Sequence, residues 1–183
     1  MSLTLPTPNV IPRESVPSLR WGIVGTGIAS GFVQALHAHT LQRAVAVAAR
    51  DTAKTEAFAE RHGIPRVCVQ ASALIADPEV DVVYIATPHT QHHSLALEAI
   101  HAGKHVLIEK PVAMSAGETR EITAAGQTAG VLVMEAMWTR YLPQSNIVRQ
   151  ILASGRSARY GWSGPILGSP CRSTPGTGYG TLI

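Results

Sequence analysis

A chain of 183 residues, 45% apolar and 15% charged, holds enough core-forming material for one good domain and an appendage. No apolar run is long enough to cross a bilayer, and the opening stretch, broken by Pro6, Pro8, Pro12 and Pro17, lacks the apolar segment of a secretion signal. The net charge of +3 comes wholly from Arg156, Arg159 and Arg172, so no basic stripe crosses the rest of the chain and nucleic-acid binding is set aside.

Residues 1–18 read as a flexible leader. From residue 19 to residue 153 short apolar runs alternate with longer amphipathic ones, the pattern of a parallel α/β sheet. The first expected strand is Trp21–Val24, followed by the turn Gly25-Thr26-Gly27-Ile28-Ala29-Ser30 and a helix over Ile28–Ala38. Val45–Ala49 is the second strand. Thr52–His62 is a helix stopped by Gly63 and Pro65. A short strand at Val67–Val69 and a short helix near Ser72–Ala76 precede the strand Val82–Ala86 and the helix His92–Ala102. His105–Ile108 is the next strand. Ser115-Ala116-Gly117-Glu118 has the capping-box form and opens a helix reaching about Thr128. Val131–Glu135 and Pro143–Ala153 give a last strand and helix. The whole is expected to form a Rossmann-type, doubly wound parallel sheet. Residues 154–183, rich in Gly, Ser, Pro and Thr, show neither period and read as a disordered tail or as a stretch foreign to the fold.

The glycine turn carries the first functional signal. A dinucleotide pyrophosphate needs backbone N–H groups at a helix N-terminus with no side chain in the way. Gly25 permits the tight turn, Gly27 lets the phosphate approach, and small Ser30 permits close packing. Thr26, Ile28 and Ala29 complete the expected phosphate-binding segment. At the end of the second strand, Arg50 offers a cation to a 2′-phosphate, which favours NADP over NAD. Asp51 points the other way, toward ribose hydroxyls, but it also stands where it would cap the next helix.

Two later strand ends carry the rest. Thr87-Pro88-His89-Thr90-Gln91-His92-His93 follows the fourth strand, at the edge where open α/β sheets hold ligands. Three close histidines suggest a metal, yet no carboxylate or cysteine completes a ligand set, so no metal is assigned and His89 and His92 become candidate cofactor-pocket residues with Thr87 and Pro88. Glu109-Lys110-Pro111 follows the fifth strand. The proline keeps Lys110 out of a helical conformation, and an amine there can share the proton of a substrate hydroxyl during hydride transfer. Lys110 is thus the candidate catalytic residue, with Glu109 beside it in the cofactor site. Cys68 and Cys171 have no near partner and no metal-type spacing, which points to a reduced, cytoplasmic setting.

With these motifs the chain resembles the Gfo/Idh/MocA oxidoreductase family. The resemblance rests on Gly25-Thr26-Gly27, on Ala86-Thr87-Pro88 with His92 four residues after the proline, and on Gly103-Lys104-His105-Val106-Leu107-Ile108-Glu109-Lys110-Pro111. Met134-Glu135-Ala136-Met137-Trp138-Thr139-Arg140-Tyr141-Leu142-Pro143 narrows it to the branch that holds the dimeric dihydrodiol dehydrogenases. The resemblance implies NADP as cofactor, a sugar or diol as substrate, Lys110 as proton relay, and Trp138 and Arg140 on the substrate side. It also implies a C-terminal α+β substrate domain and a homodimer in a full-length form. This chain does not continue into that domain after residue 153, so a non-catalytic NADP-binding module stands as the alternative.

Overall fold

The computed structural model describes residues 4–154. Six parallel strands form one sheet in the order β3-β2-β1-β4-β5-β6. They are β1 (Arg20–Val24), β2 (Arg43–Ala48), β3 (Arg66–Cys68), β4 (Val82–Ile85), β5 (His105–Ile108) and β6 (Val133–Glu135). The helices are α1 (Ala29–His39), α2 (Thr52–His62), α3 (Ala71–Ile75), α4 (His92–His101), α5 (Ala116–Ala129) and α6 (Pro143–Ala153). Every expected element is present, most with ends moved by one or two residues. Three 3-10 turns are added, at Arg13–Ser15, at His89–Gln91 leading into α4, and at Trp138–Tyr141.

Alternation along the strands divides the core into two layers. Ile23, Val47, Tyr84 and Leu107 face α1 and α2, where Val33, Leu36 and Phe58 meet them. Val24, Ala48, Val83, Ile85 and Ile108 face the other side and pack with Ile75, Ile100 and Ile122 from α3, α4 and α5. β1 pairs with both β2 and β4, so the chain changes direction across the sheet between β1 and β4. A crevice opens at that switch point, outside the carboxyl ends of the strands.

Local chemistry sets the helix ends. Asp51 caps α2 by accepting from the Lys54 N–H at 3.1 Å. Ser115 caps α5 by accepting from the Glu118 N–H at 3.2 Å, and Glu118 reaches back to the Met114 N–H at 2.9 Å. The amino-terminal stretch, read as a loose leader, makes two hydrogen bonds to α6. Its Asn9 N–H donates to Asn146 of α6 (2.8 Å), and Gln150 of α6 donates to the Thr7 carbonyl (2.9 Å). Prolines deny this stretch a helix, yet its free backbone groups meet the amide side chains of α6. The readings made for residues 155–183, Cys171 included, fall outside the described residues.

Two histidines fasten α1. His37 Nε2 accepts the Ala44 N–H at 3.0 Å, and His62 Nε2 lies 3.0 Å from the Ser30 hydroxyl. Burial first, then Arg43, holds the His37 imidazole below its ordinary pKa; burial first, then Arg61, does the same for His62. In the unfolded chain both return to about 6.5 and bind protons more readily than in the fold. Their contribution to stability is therefore full above about pH 6.5 and is lost as pH falls below that value through the depressed folded values. Urea midpoints should drop between pH 7.5 and pH 5.5, and a His37→Gln/His62→Gln double variant should show a flatter profile. An equally steep profile in the double variant would assign the drop to other groups.

Candidate functional site

A cleft of about 850 Å³ opens at the switch point between β1 and β4. Its floor is the turn Gly25–Gly27. Gly25 has φ +98°, and a Cβ there would sit 2.4 Å from the Ala86 carbonyl oxygen. Only glycine fits where β1 and the β4 exit come this close. Gly27 is different: nothing lies within 4 Å of an added Cβ, so its missing side chain leaves open space over the start of α1. Ile28 occupies the N-cap position without a side-chain cap, which leaves the first N–H groups of α1 to an outside partner. Open space, free N–H groups and a positive helix end together fit a pyrophosphate.

The structure refines the assignments along this turn. Thr26 lines the cleft with the two glycines, whereas Ile28 is 58% exposed and Ala29 is fully buried in the core. Neither Ile28 nor Ala29 has a side chain in the cleft, because the helix begins at Ala29 and turns that methyl inward. Ser30, read as a small packing residue, is bound to His62.

At the end of β2, Arg50 and Lys54 both line the cleft. The Asp51 carboxylate is occupied: it caps α2 and lies 3.3 Å from the Lys54 ammonium. These contacts, the Lys54 N–H foremost, hold its pKa below the usual carboxylate range. Among the described residues Arg50 has no carboxylate partner. Lys54 was missed in the sequence, although its place four residues after Arg50, on the first turn of a helix, was the available signal.

Past β4, Thr87 and Pro88 line the cleft, and the Thr87 hydroxyl is buried with no partner. An orphaned polar atom in a cleft wall is a group waiting for a ligand. The histidines separate. His92 is fully buried: its Nδ1 lies 2.9 Å from the Pro111 carbonyl and its Nε2 lies 3.0 Å from the Thr87 carbonyl. It does not face the cleft as expected but pins the β4 exit to the β5 exit from behind. His89 is exposed beside it, outside the cleft lining, and His93 pairs with Glu121 on the surface at 2.9 Å. Among the described residues no three His, Cys, Asp or Glu side chains gather as a metal site.

The β5 exit is braced on several sides. The Tyr84 hydroxyl donates to Glu109 Oε1, and Glu109 Oε2 accepts the Lys110 N–H at 3.1 Å. Burial and the carboxylate both raise the Tyr84 pKa, so this hydroxyl stays protonated and donating. Glu135 of β6 accepts the Val112 N–H at 3.0 Å. Lys110 itself is exposed at the end of this brace, and Lys110-Pro111 is a cis peptide. Trp138 is 66% exposed, and Arg140 borders a separate 400 Å³ depression with Met134, Met137 and Tyr141. The structure therefore gathers Gly25, Thr26, Gly27, Arg50, Thr87 and Pro88 in one cleft. It sets Glu109 and Lys110 at the neighbouring strand end, and it leaves Trp138 and Arg140 on an open flank.

Known proteins share this arrangement. Residues 19–137 match the model of the oxidoreductase family GFO_IDH_MocA, NAD-binding Rossmann fold. Trans-1,2-dihydrobenzene-1,2-diol dehydrogenase of Homo sapiens is 43% identical over 143 residues, 75% of this chain and 42% of that protein. Among solved structures, an NAD binding oxidoreductase from Klebsiella pneumoniae superposes with a TM-score of 0.71 at 31% identity, covering 76% of this chain and 39% of its own. KijD10, a 3-ketoreductase from Actinomadura kijaniata bound to TDP-benzene and NADP (Y186F mutant), gives 0.69 at 30% identity, covering 76% and 43%. The chain spans about two fifths of the length of these relatives. With the family model covering the whole sheet from β1 to β6, the chain belongs to the Gfo/Idh/MocA oxidoreductase family and carries its NAD-binding Rossmann fold.

Proposed function

We propose that this chain binds NADP and serves an oxidoreductase acting on a sugar, diol or related hydroxy compound. The observation that carries the cofactor choice is the pair Arg50 and Lys54 in the cleft wall, with Asp51 already engaged as a helix cap. Arg50, which has no carboxylate partner among the described residues, beside a Lys54–Asp51 pair favours a 2′-phosphate over bare ribose hydroxyls. The N–H groups at the start of α1 hold the pyrophosphate over Gly27, and the Thr87 hydroxyl gains a polar partner. When bound, the cofactor supplies hydride-transfer chemistry. Lys110 Nζ then takes the proton of the substrate hydroxyl, while Glu109 holds the Lys110 backbone N–H at the sheet edge. Trp138 and Arg140 serve the substrate side, and the protein works in the cytoplasm, with a homodimer in a full-length form.

A second reading, favoured by the open flank on which Trp138 and Arg140 stand apart from the cleft, is an NADP-binding module without turnover. One set of measurements separates the readings. Wild-type chain should bind NADPH more tightly than NADH, and Arg50→Ala should weaken NADPH by about tenfold or more, a charge-assisted contact, while changing NADH by less than about twofold. Equal losses for both nucleotides would end the NADP assignment. Turnover across a panel of diols and aldoses then selects the enzyme; NADPH binding without turnover selects the module.

A further inference from the structure

Lys110 and Glu109 are sequence neighbours of opposite charge at an exposed strand end, yet among the described residues Lys110 forms no ion pair. The Glu109 carboxylate is committed elsewhere, to the Tyr84 hydroxyl through one oxygen and to the Lys110 backbone N–H through the other. Tyr84 cannot easily shift. It is 2% exposed, stacked 4.2 Å from Phe32, and locked in the register Tyr84↔Leu107 between β4 and β5. Glu109, two residues after Leu107, lies on the same face of the sheet.

From this geometry we infer that Tyr84 is a positioning residue for Lys110, acting through Glu109. By tying the carboxylate down, its hydroxyl keeps Glu109 off the Lys110 ammonium and leaves the amine able to exchange a proton. This rests on the reading of Lys110 as proton relay, but it assigns a role to a core tyrosine outside the cleft lining. Removal of the hydroxyl frees one carboxylate oxygen beside the neighbouring cation. An exposed pair of that kind holds the lysine protonated by a factor of about three.

Trace acetylation across pH 6–11, quantified by mass spectrometry for each lysine, tests this on the full chain without cofactor or turnover. Lys54, Lys104 and Lys110 are the only lysines, so the other two serve as internal references. In Tyr84→Phe, Lys110 acetylation near pH 8 should fall about threefold relative to Lys54, its curve moving to higher pH. Adding Glu109→Gln to that variant should restore the wild-type curve. An unmoved Lys110 curve in folded Tyr84→Phe, or no restoration by the second change, overturns the inference. Should Tyr84→Phe fail to fold, Glu109→Gln alone decides. Its Lys110 curve should match wild type, because the carboxylate is already held away; a shift to lower pH would show that Glu109 pairs with Lys110 and would refute the role of Tyr84. Loss of NADPH preference or of turnover bears on the proposed function and leaves these curves unaffected.

Discussion

Gly25→Ala should abolish NADPH binding and also weaken the fold, whereas Gly27→Ala should weaken binding alone. At Gly25 the backbone is left-handed, φ +98°, and an alanine Cβ would lie 2.4 Å from the Ala86 carbonyl oxygen and 2.7 Å from its carbon. Neither atom can move without pulling β1 from β4, where the Ala86 N–H donates to the Val24 carbonyl at 2.8 Å. Strain of this kind costs about 1–3 kcal/mol before the clash is relieved. A lower urea midpoint and no saturable NADPH fluorescence are expected. At Gly27 nothing lies within 4 Å, so the fold should tolerate the methyl with a midpoint near wild type. The same methyl stands where a pyrophosphate must approach α1, and affinity should fall by about a hundredfold, the loss of two or more charge-assisted contacts. If Gly27→Ala binds NADPH as wild type does, the phosphate cradle has been placed wrongly.

The second large effect concerns His92. Fully buried between two carbonyls, it joins the loop after β4 to the loop after β5 across 19 residues of sequence. Nδ1 faces the Pro111 carbonyl and Nε2 faces the Thr87 carbonyl, so each ring nitrogen that carries a hydrogen donates to the carbonyl it faces. His92→Ala leaves a cavity and an unpaired carbonyl, together worth about 3 kcal/mol. His92→Phe refills the volume and should cost about 1 kcal/mol, the lost hydrogen bond alone. Amide exchange should rise at Thr87 and at Val112 in both variants, since the two exits lose their common brace. A His92→Ala stability within about 0.5 kcal/mol of wild type, the range of an ordinary surface change, would make the ring a bystander.

Much of the fold was legible because its signals are local. The capping of α2 by Asp51 and of α5 by Ser115 involves residues three apart, and a helix N-terminus can be read at that range. Apolar runs closed by Gly63 and Gly103 marked strand and helix limits, since both glycines take the left-handed conformation that ends a helix. Gly25 and Gly27 were legible for the same reason: a strand–turn–helix places them without reference to distant residues. Arg50 was found by its position at a strand end, and Lys54 was missed because its cleft-facing direction depends on how α2 lies against the sheet.

What escaped the sequence involves partners far apart along the chain. The histidine motif after β4 looked like a pocket, yet His92 turned inward because α4 packs over the sheet and carries the ring beneath the Thr87 and Pro111 carbonyls. Tyr84 passed without a role inside the strand Val82–Ala86, and only the β4–β5 register brings its hydroxyl to Glu109, 25 residues away. The amino-terminal stretch looked loose, and its anchor, Gln150, lies 143 residues further on. The sequence by itself thus determined the parallel sheet, the glycine turn and the strand ends beside the cleft, because periodicity and capping act within a few residues. Only the tertiary structure decided which of those side chains face the cleft and which brace it from behind, because side-chain direction is set by strand register and helix packing between segments that the sequence does not place side by side.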